Sequence, residues 1–218
     1  MSETVRYELK FYISPLNAEI LKKKLQYLMP YDLNGVNGAY NVKSLYFDDF
    51  YDTSLREKME GNNKAPKFRI RIYNHDISQK RLERKHKKGD IVSKKSLAIS
   101  NVEYDQFIKC SNSFSHEFQE LYTGVLKPKV IIAYDRTAFV YEPGHVRITF
   151  DSHIKASTNH RPCLNKSTPY RNLPTPENII FEVKYTDFFP VHLRGIFQEA
   201  STKQSISKYA AGRLPGLL

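Results

Sequence analysis

The sequence predicts an α+β chain built on a closed, eight-stranded antiparallel β-barrel with helices packed outside. Three observations predict it. Short stretches of alternating polar and apolar residues recur along the chain, several of them joined by tight turns. Amphipathic helical segments fall between some of these stretches, and charged residues keep to one face of strand after strand. Closure leaves such a sheet without exposed edges.

Each element has its own warrant. Residues 5–13 (VRYELKFYI) alternate, with Arg6, Glu8 and Lys10 on one face and Tyr7, Leu9 and Phe11 on the other. Ser14-Pro15 opens a helix, the serine as N-cap and the proline at the first position. Leu16, Ile20, Leu21, Leu25 and Leu28 form its apolar stripe. Residues 40–50 read as a strand, and 53–60 as a short helix stopped by Gly61. Strands follow at 67–74 and 81–88, and Gly89-Asp90 turns the chain tightly into 91–97. Ser100-Asn101-Val102-Glu103 is a capping box opening a helix, and 115–122 reads as another. A long strand at 129–141 turns at Pro143-Gly144 into its partner at 145–151. Residues 178–185 form the last strand, and 191–211 read as largely helical. The four prolines of 158–176 mark one long loop rather than a boundary, so a single domain over 1–218 is expected.

A hydrophobic fraction of 40%, with 15 Tyr and 13 Phe, supplies a core and excludes a disordered chain. The balance of 34 Lys and Arg against 23 Asp and Glu, a formal +11, points to an anionic partner. Cys110 and Cys163 stand far apart without a CxxC, against a disulfide framework or a structural zinc site. No run of about 18 apolar residues and no secretory leader is visible, so a cytoplasmic protein without a membrane segment is expected.

The position of the charges within the strands is the most informative pattern. Arg69 and Arg71 share a face, as do Glu83, Lys85 and Lys87, Tyr134 and Arg136, Arg147 and Thr149, and Glu182 and Lys184. The alternate faces carry Phe68, Ile70, Ile72, Ala133, Val146, Ile148, Phe181 and Val183. In any one strand this is ordinary amphipathicity, with the charged face toward water. Repeated over six strands, and with helices available to cover the apolar face, it fits a charged tunnel. Arginine grips two phosphate oxygens at once and lysine adds a compact charge. The interspersed carboxylates suit Mg²⁺ or Mn²⁺, which bridge carboxylate and phosphate oxygens. Phosphoryl transfer needs alignment and charge neutralisation more than a nucleophilic side chain, and none is evident. GxxxxGK[ST], GxGxxG, HExxH and GxSxG are all missing from the sequence.

Seven fragments in order, Arg6-Tyr7-Glu8-Leu9-Lys10, Phe68-Arg69-Ile70-Arg71-Ile72-Tyr73, Leu82-Glu83-Arg84-Lys85, Tyr134-Asp135-Arg136-Thr137-Ala138-Phe139, Val146-Arg147-Ile148-Thr149-Phe150-Asp151, Phe181-Glu182-Val183-Lys184-Tyr185 and Ser207-Lys208-Tyr209, span nearly the whole chain. They resemble the VTC domain of polyphosphate polymerases, within the triphosphate tunnel metalloenzymes (the CYTH-like group). The resemblance implies an eight-stranded tunnel, a divalent metal (Mn²⁺ or Mg²⁺) and synthesis of polyphosphate from the γ-phosphate of ATP. It implies that Arg69, Arg71, Lys85, Arg136, Arg147 and Lys208 bind phosphate, helped by Tyr134, Ser207 and Lys184, with Glu182 as main metal ligand. Glu8 and Lys10 face the same tunnel, Glu8 as a further ligand, and either Lys94 or Lys95 adds a cation. Eukaryotic polymerases carry a second lysine just before the Ser-Lys pair; this chain reads Ser205-Ile206-Ser207, with Lys203 further back. The regulatory SPX domain and the membrane segments of some relatives are not expected here. A hydrolase of triphosphate or nucleoside triphosphates on the same barrel and a non-catalytic polyphosphate binder are the alternatives. RNA is disfavoured because aromatic residues mostly take the alternate strand face.

Overall fold

The structure, a computed structural model, describes residues 2–62, 65–109, 126–158, 169–173, 179–200 and 204–214. The elements are β1 (Ser2–Ile13), α1 (Pro15–Leu28), β2 (Ala39–Asp48), α2 (Thr53–Met59), β3 (Lys67–Tyr73), β4 (Lys80–Lys88) and β5 (Ile91–Ile99). There follow α3 (Asn101–Lys109), β6 (Lys127–Tyr141), β7 (Val146–Ser157), β8 (Arg171–Asn172), β9 (Ile179–Tyr185) and α4 (Lys208–Arg213). Sheet order is β6-β2-β3-β4-β5-β1-β9-β7, and pairing of β7 with β6 closes the barrel; the two-residue β8 adds to β7. Every pairing is antiparallel. The closed eight-stranded barrel is the one the alternation predicts.

Local chemistry sets the connections. The Ser14 hydroxyl accepts the Asn17 amide at 3.1 Å and caps α1. The capping box forms both ways: the Glu103 amide donates to the Ser100 hydroxyl at 3.2 Å, and the Ser100 amide donates to the Glu103 carboxylate at 2.7 Å. Gly89, at φ 59°, allows the two-residue turn between β4 and β5.

One face of the barrel wall is apolar and covered from outside. Leu21 and Leu25 of α1, with Leu193 and Ile196 of the 3₁₀ segment Val191–Glu199, pack on Phe11, Ile148, Phe150, Phe181 and Val183. Tyr104 and Phe107 of α3 pack on Phe47, Phe68, Ile70, Ile72 and Leu82. Much of the wall's apolar side is buried in this way, and the charged side lines a cavity within the barrel. At the end of the barrel where β2 stops and β3 begins, α4 seals the β6–β7 side from within. Tyr209, Ala210 and Ala211 join Val130, Ile132 and Ala156 in one core cluster. Asp48 ties this end together: its carboxylate accepts the Ser54 and Leu55 amides at the start of α2 and the Tyr209 hydroxyl at 2.7 Å.

Several predicted boundaries move. The strand at 40–50 ends at Asp48, because its carboxylate is spent on α2. The strand at 145–151 runs on to Ser157 past a register shift opposite Ala133 and Asp135, where His153 takes φ 49°. The helix expected over 191–211 is instead the 3₁₀ segment and the short α4, separated by an extended approach in which Ser207 holds φ −133°. The predicted helix at 115–122, both cysteines and Lys203 lie outside the described residues, as does most of 158–176. Among the described residues no helix is long and apolar enough to cross a membrane.

Candidate active site

Cross-strand register gathers the charged face into a ring. Arg69 lies opposite Tyr46 and Glu83, and Arg71 opposite Ser44. Lys85 pairs with Lys67 on one side and Lys94 on the other. Lys10 faces Glu182 and Glu8 faces Lys184; Thr149 lies opposite Glu182, Arg147 opposite Lys184, and Asp151 opposite Arg136. Directly opposed residues share a sheet face, so these side chains converge on one cavity within the barrel. Of the residues expected there, Glu8, Lys10, Arg69, Arg71, Lys85, Lys94, Tyr134, Arg136, Arg147, Glu182, Lys184, Ser207 and Lys208 all line it. Lys95 does not. It pairs with Arg84, on the alternate face of β5, which settles in favour of Lys94 the choice that spacing alone left open.

Four buried acids on the strands organise most of these cations. Glu83 holds Arg69 at 2.6 Å and Lys94 at 3.0 Å. Asp151 takes Arg136 in a two-pronged grip, 2.6 and 2.8 Å, and Lys208 at 2.6 Å. Glu8 accepts Lys85 at 2.7 Å and Lys10 at 3.0 Å. Glu182 lies 2.7 Å from Lys184, 3.5 Å from Arg136 and 3.6 Å from Lys10. Burial alone would raise the pKa of Glu182, but Lys184, Lys10, Lys208 and Arg136 hold it well below the usual carboxylate range. Burial likewise opposes ionisation of Asp151, and Arg136 and Lys208 overcome it, leaving its pKa at about 2. All four therefore remain ionised at neutral pH.

Polar atoms stand ready for a ligand. Arg147 Nε and Thr149 Oγ1 are buried without a hydrogen-bond partner among the described residues. Arg147 is otherwise steadied by Asp32 and the Tyr40 hydroxyl. The Tyr134 hydroxyl accepts from Arg71 at 3.2 Å, and its ring lies under the Lys208 ammonium, 4.9 Å from the ring centroid. Ser207 caps α4, which fixes Lys208 at the first position of that helix and aims it inward.

Among the described residues no three His, Cys, Asp or Glu side chains gather as a ready-made metal cage. Glu8 and Glu182 nevertheless share the Lys10 ammonium between them. Two neighbouring carboxylates are the donor type that suits Mg²⁺ or Mn²⁺, which keep part of their shell for substrate.

Sequence reasoning passed over several residues here. Lys67 and Tyr73 share the face of Arg69 and Arg71 by simple alternation and line the cavity. Tyr46, Lys58 and Tyr209 also line it. Lys58 and Tyr209 come from helices, where strand periodicity carries no signal. Aromatic rings were expected mostly on the other face, with Tyr134 on this one; Tyr134 is here, and Tyr46 and Tyr73 also point inward, where they hydrogen-bond or stack with arginine. Asp32 lies outside the strands, and its role with Arg147 had no motif to announce it.

Lys67 stands apart from these pairs. It makes no hydrogen bond or ion pair among the described residues, and burial followed by repulsion from Lys10, Lys85, Lys58 and Lys87 pushes it down to about 7. An unfolded lysine keeps its proton up to about 10.4. Between those values the unfolded chain binds more protons, so stability rises with pH across that window. Lys67→Met is expected to melt several degrees above the parent protein at neutral pH, with the gap closing in alkali; thermal melts across that range check it.

A family model for the VTC domain matches residues 5–214. Among solved structures, a candidate adenylate cyclase of Bacillus halodurans shares the fold at TM-score 0.56 and 16% identity, over 91% of this chain and 89% of that one. The PH1819 protein of Pyrococcus horikoshii OT3 aligns at TM-score 0.49 and 15% identity, over 94% and 96% of the two chains. No protein with a curated description matches the sequence.

Proposed function

Because the chain belongs to the VTC domain family, whose barrel is the triphosphate tunnel fold, we propose that it is a polyphosphate polymerase transferring the γ-phosphate of ATP to a growing phosphate chain. The observation that carries this reading is the inward ring of arginine and lysine, interspersed with buried carboxylates and tyrosines. Its cavity runs from Lys67, where β3 begins, to Tyr73 where it ends. A linear phosphate chain fits along such an axis, and lying there it presents its terminal phosphate in line with the γ-phosphate of a nucleotide. In-line alignment and neutralisation of charge are most of what phosphoryl transfer requires.

In this reading Arg69, Arg71, Arg136 and Arg147 fork phosphate oxygens from separate walls, and Lys85, Lys94, Lys184 and Lys208 supply point charges. Lys10 sits between the two acids and balances them, while Tyr134 and Ser207 position Arg71 and Lys208. Glu182, with Glu8, would seat Mg²⁺ or Mn²⁺, whose contribution is to draw negative charge from the phosphate oxygens. ATP and polyphosphate are the expected ligands.

The test is incubation of purified protein with ATP and Mn²⁺ or Mg²⁺, with products resolved on a gel that displays polyphosphate. A ladder of chains that disappears with Arg69→Ala supports the polymerase. Free phosphate without chains would instead identify a triphosphate hydrolase, and tight polyphosphate binding without turnover a binding module.

A further inference from the structure

Strands of an antiparallel barrel alternate in direction, so the end of β2, the start of β3 and the end of β4 lie together at one rim. Lys67 is the first residue of β3, Lys87 the last but one of β4, and Lys58 the last but one of α2, which follows β2 directly. All three line the cavity, and each of Lys58 and Lys87 is close enough to Lys67 to repel its charge. Among the described residues neither Lys58 nor Lys67 is ion-paired to one of these buried acids: Glu8 serves Lys10 and Lys85, Glu83 serves Arg69 and Lys94, and the other two lie with Arg136, Lys184 and Lys208.

On the facing side α4 fills the rim, and the strand-like approach to it is pinned. Lys58 donates to the Ser205 carbonyl at 2.8 Å and to its hydroxyl, while Lys10 donates to the Ile206 carbonyl at 3.3 Å. The cavity at this rim is thus lined by lysine and by Ser205, Ile206 and Ser207. An unpaired, largely enclosed ammonium group such as Lys67 is costly unless an anion arrives to share its field.

We propose that Lys58, Lys67 and Lys87 form a second anion subsite at this rim, which holds the far phosphates of a chain too long for the arginine ring alone. The inference deepens the reading of the tunnel as a phosphate-chain site and rests on it, but not on whether the acceptor is phosphate or water. Lysine suits this task better than arginine. Three rotatable donors on a flexible stem grip a moving chain without fixing its register. The subsite makes the protein select for chain length, since a triphosphate reaches the ring but not the rim.

Calorimetric titration tests it with two ligands, tripolyphosphate and a polyphosphate long enough to traverse the barrel, against the parent protein and the Lys58→Met/Lys67→Met double variant. The parent should bind the long chain more tightly. The double variant should lose about tenfold or more in affinity for the long chain, about 1.4 kcal/mol, and no more than about threefold for tripolyphosphate. Restoring charge with Lys67→Arg should recover most of the difference, and a melting curve confirms that each variant is folded. Equal losses for both ligands would merge these lysines with the arginine ring and overturn the proposal, as would no loss for either. A single-stranded RNA that competes as well as polyphosphate would overturn the assignment of the ligand. Should the protein fail to build chains from ATP yet keep a lysine-dependent preference for long chains, the polymerase reading falls and the subsite stands.

Discussion

Replacing Glu182 by glutamine is expected to lower turnover of ATP by about 10²–10³-fold, the usual cost of losing one preorganised charge-stabilising element, while tripolyphosphate binds more tightly than before. The opposed signs follow from the surroundings of this carboxylate. Glu182 is buried, and Lys184, Lys10 and Arg136 all lie within 3.6 Å of it. Removing its charge leaves three cations short of a partner, so an incoming polyanion meets a more positive cavity. The same change removes the main seat proposed for the divalent ion, and with it charge neutralisation at the reacting phosphate. Initial rates with saturating ATP and metal, set beside the Kd for tripolyphosphate without metal, measure the two effects separately. A purely structural role for Glu182 would weaken both, and a binding module would show no turnover to lose.

The largest expected effect on stability belongs to Asp151→Asn. This carboxylate is fully buried and neutralises Arg136 through two hydrogen bonds and Lys208 through a third contact. Removing one partner of a buried ion pair costs about 3–5 kcal/mol, because the remaining charge stays desolvated and uncompensated. Here two cations lose their partner together. Lys208 is the first residue of α4, so the loss should also loosen that helix from the rim of the barrel. Urea denaturation of the variant beside the parent protein measures the cost. The pH dependence has a definite sign: with its folded pKa at about 2, Asp151 stabilises the parent above the unfolded value of about 3.9, and that contribution is lost as pH falls through about 2. Asp151→Asn should accordingly differ least from the parent protein in strong acid.

The barrel was legible because its signals are local and periodic. Alternation over β3 and β9 separates Arg69 and Glu182 from Ile70 and Val183 without reference to anything distant. Ser14 and Ser100 announce their helices through the hydrogen bonds they go on to make. Site residues on strands were legible for the same reason, and the exception is instructive. Lys94 and Lys95 are adjacent cations on one strand, and only pairing with β4 decides which faces inward. Asp151 sat in plain view at the end of a motif, yet its role depends on Arg136 and on Lys208, 57 residues later in the chain. Lys58 was illegible, since a lysine near the end of a short helix looks like any solvated side chain until the fold brings Ser205 beside it. The C-terminal misreading has a related cause. Apolar spacing over 191–211 satisfied a helical template, whereas the structure spends Leu193 and Ile196 on the outer wall and Ile206 and Tyr209 on the inner one.

The central claim is that phosphate chains lie inside the barrel, against the charged face of its wall. A crystal structure with tripolyphosphate bound tests it most directly. The account predicts phosphate groups within hydrogen-bonding distance of Arg69, Arg71, Arg136 and Lys208, with Arg147 Nε engaged. Tripolyphosphate bound only on the outer surface, with the inward ion pairs of Glu83 and Asp151 undisturbed and the cavity filled by water, would contradict it.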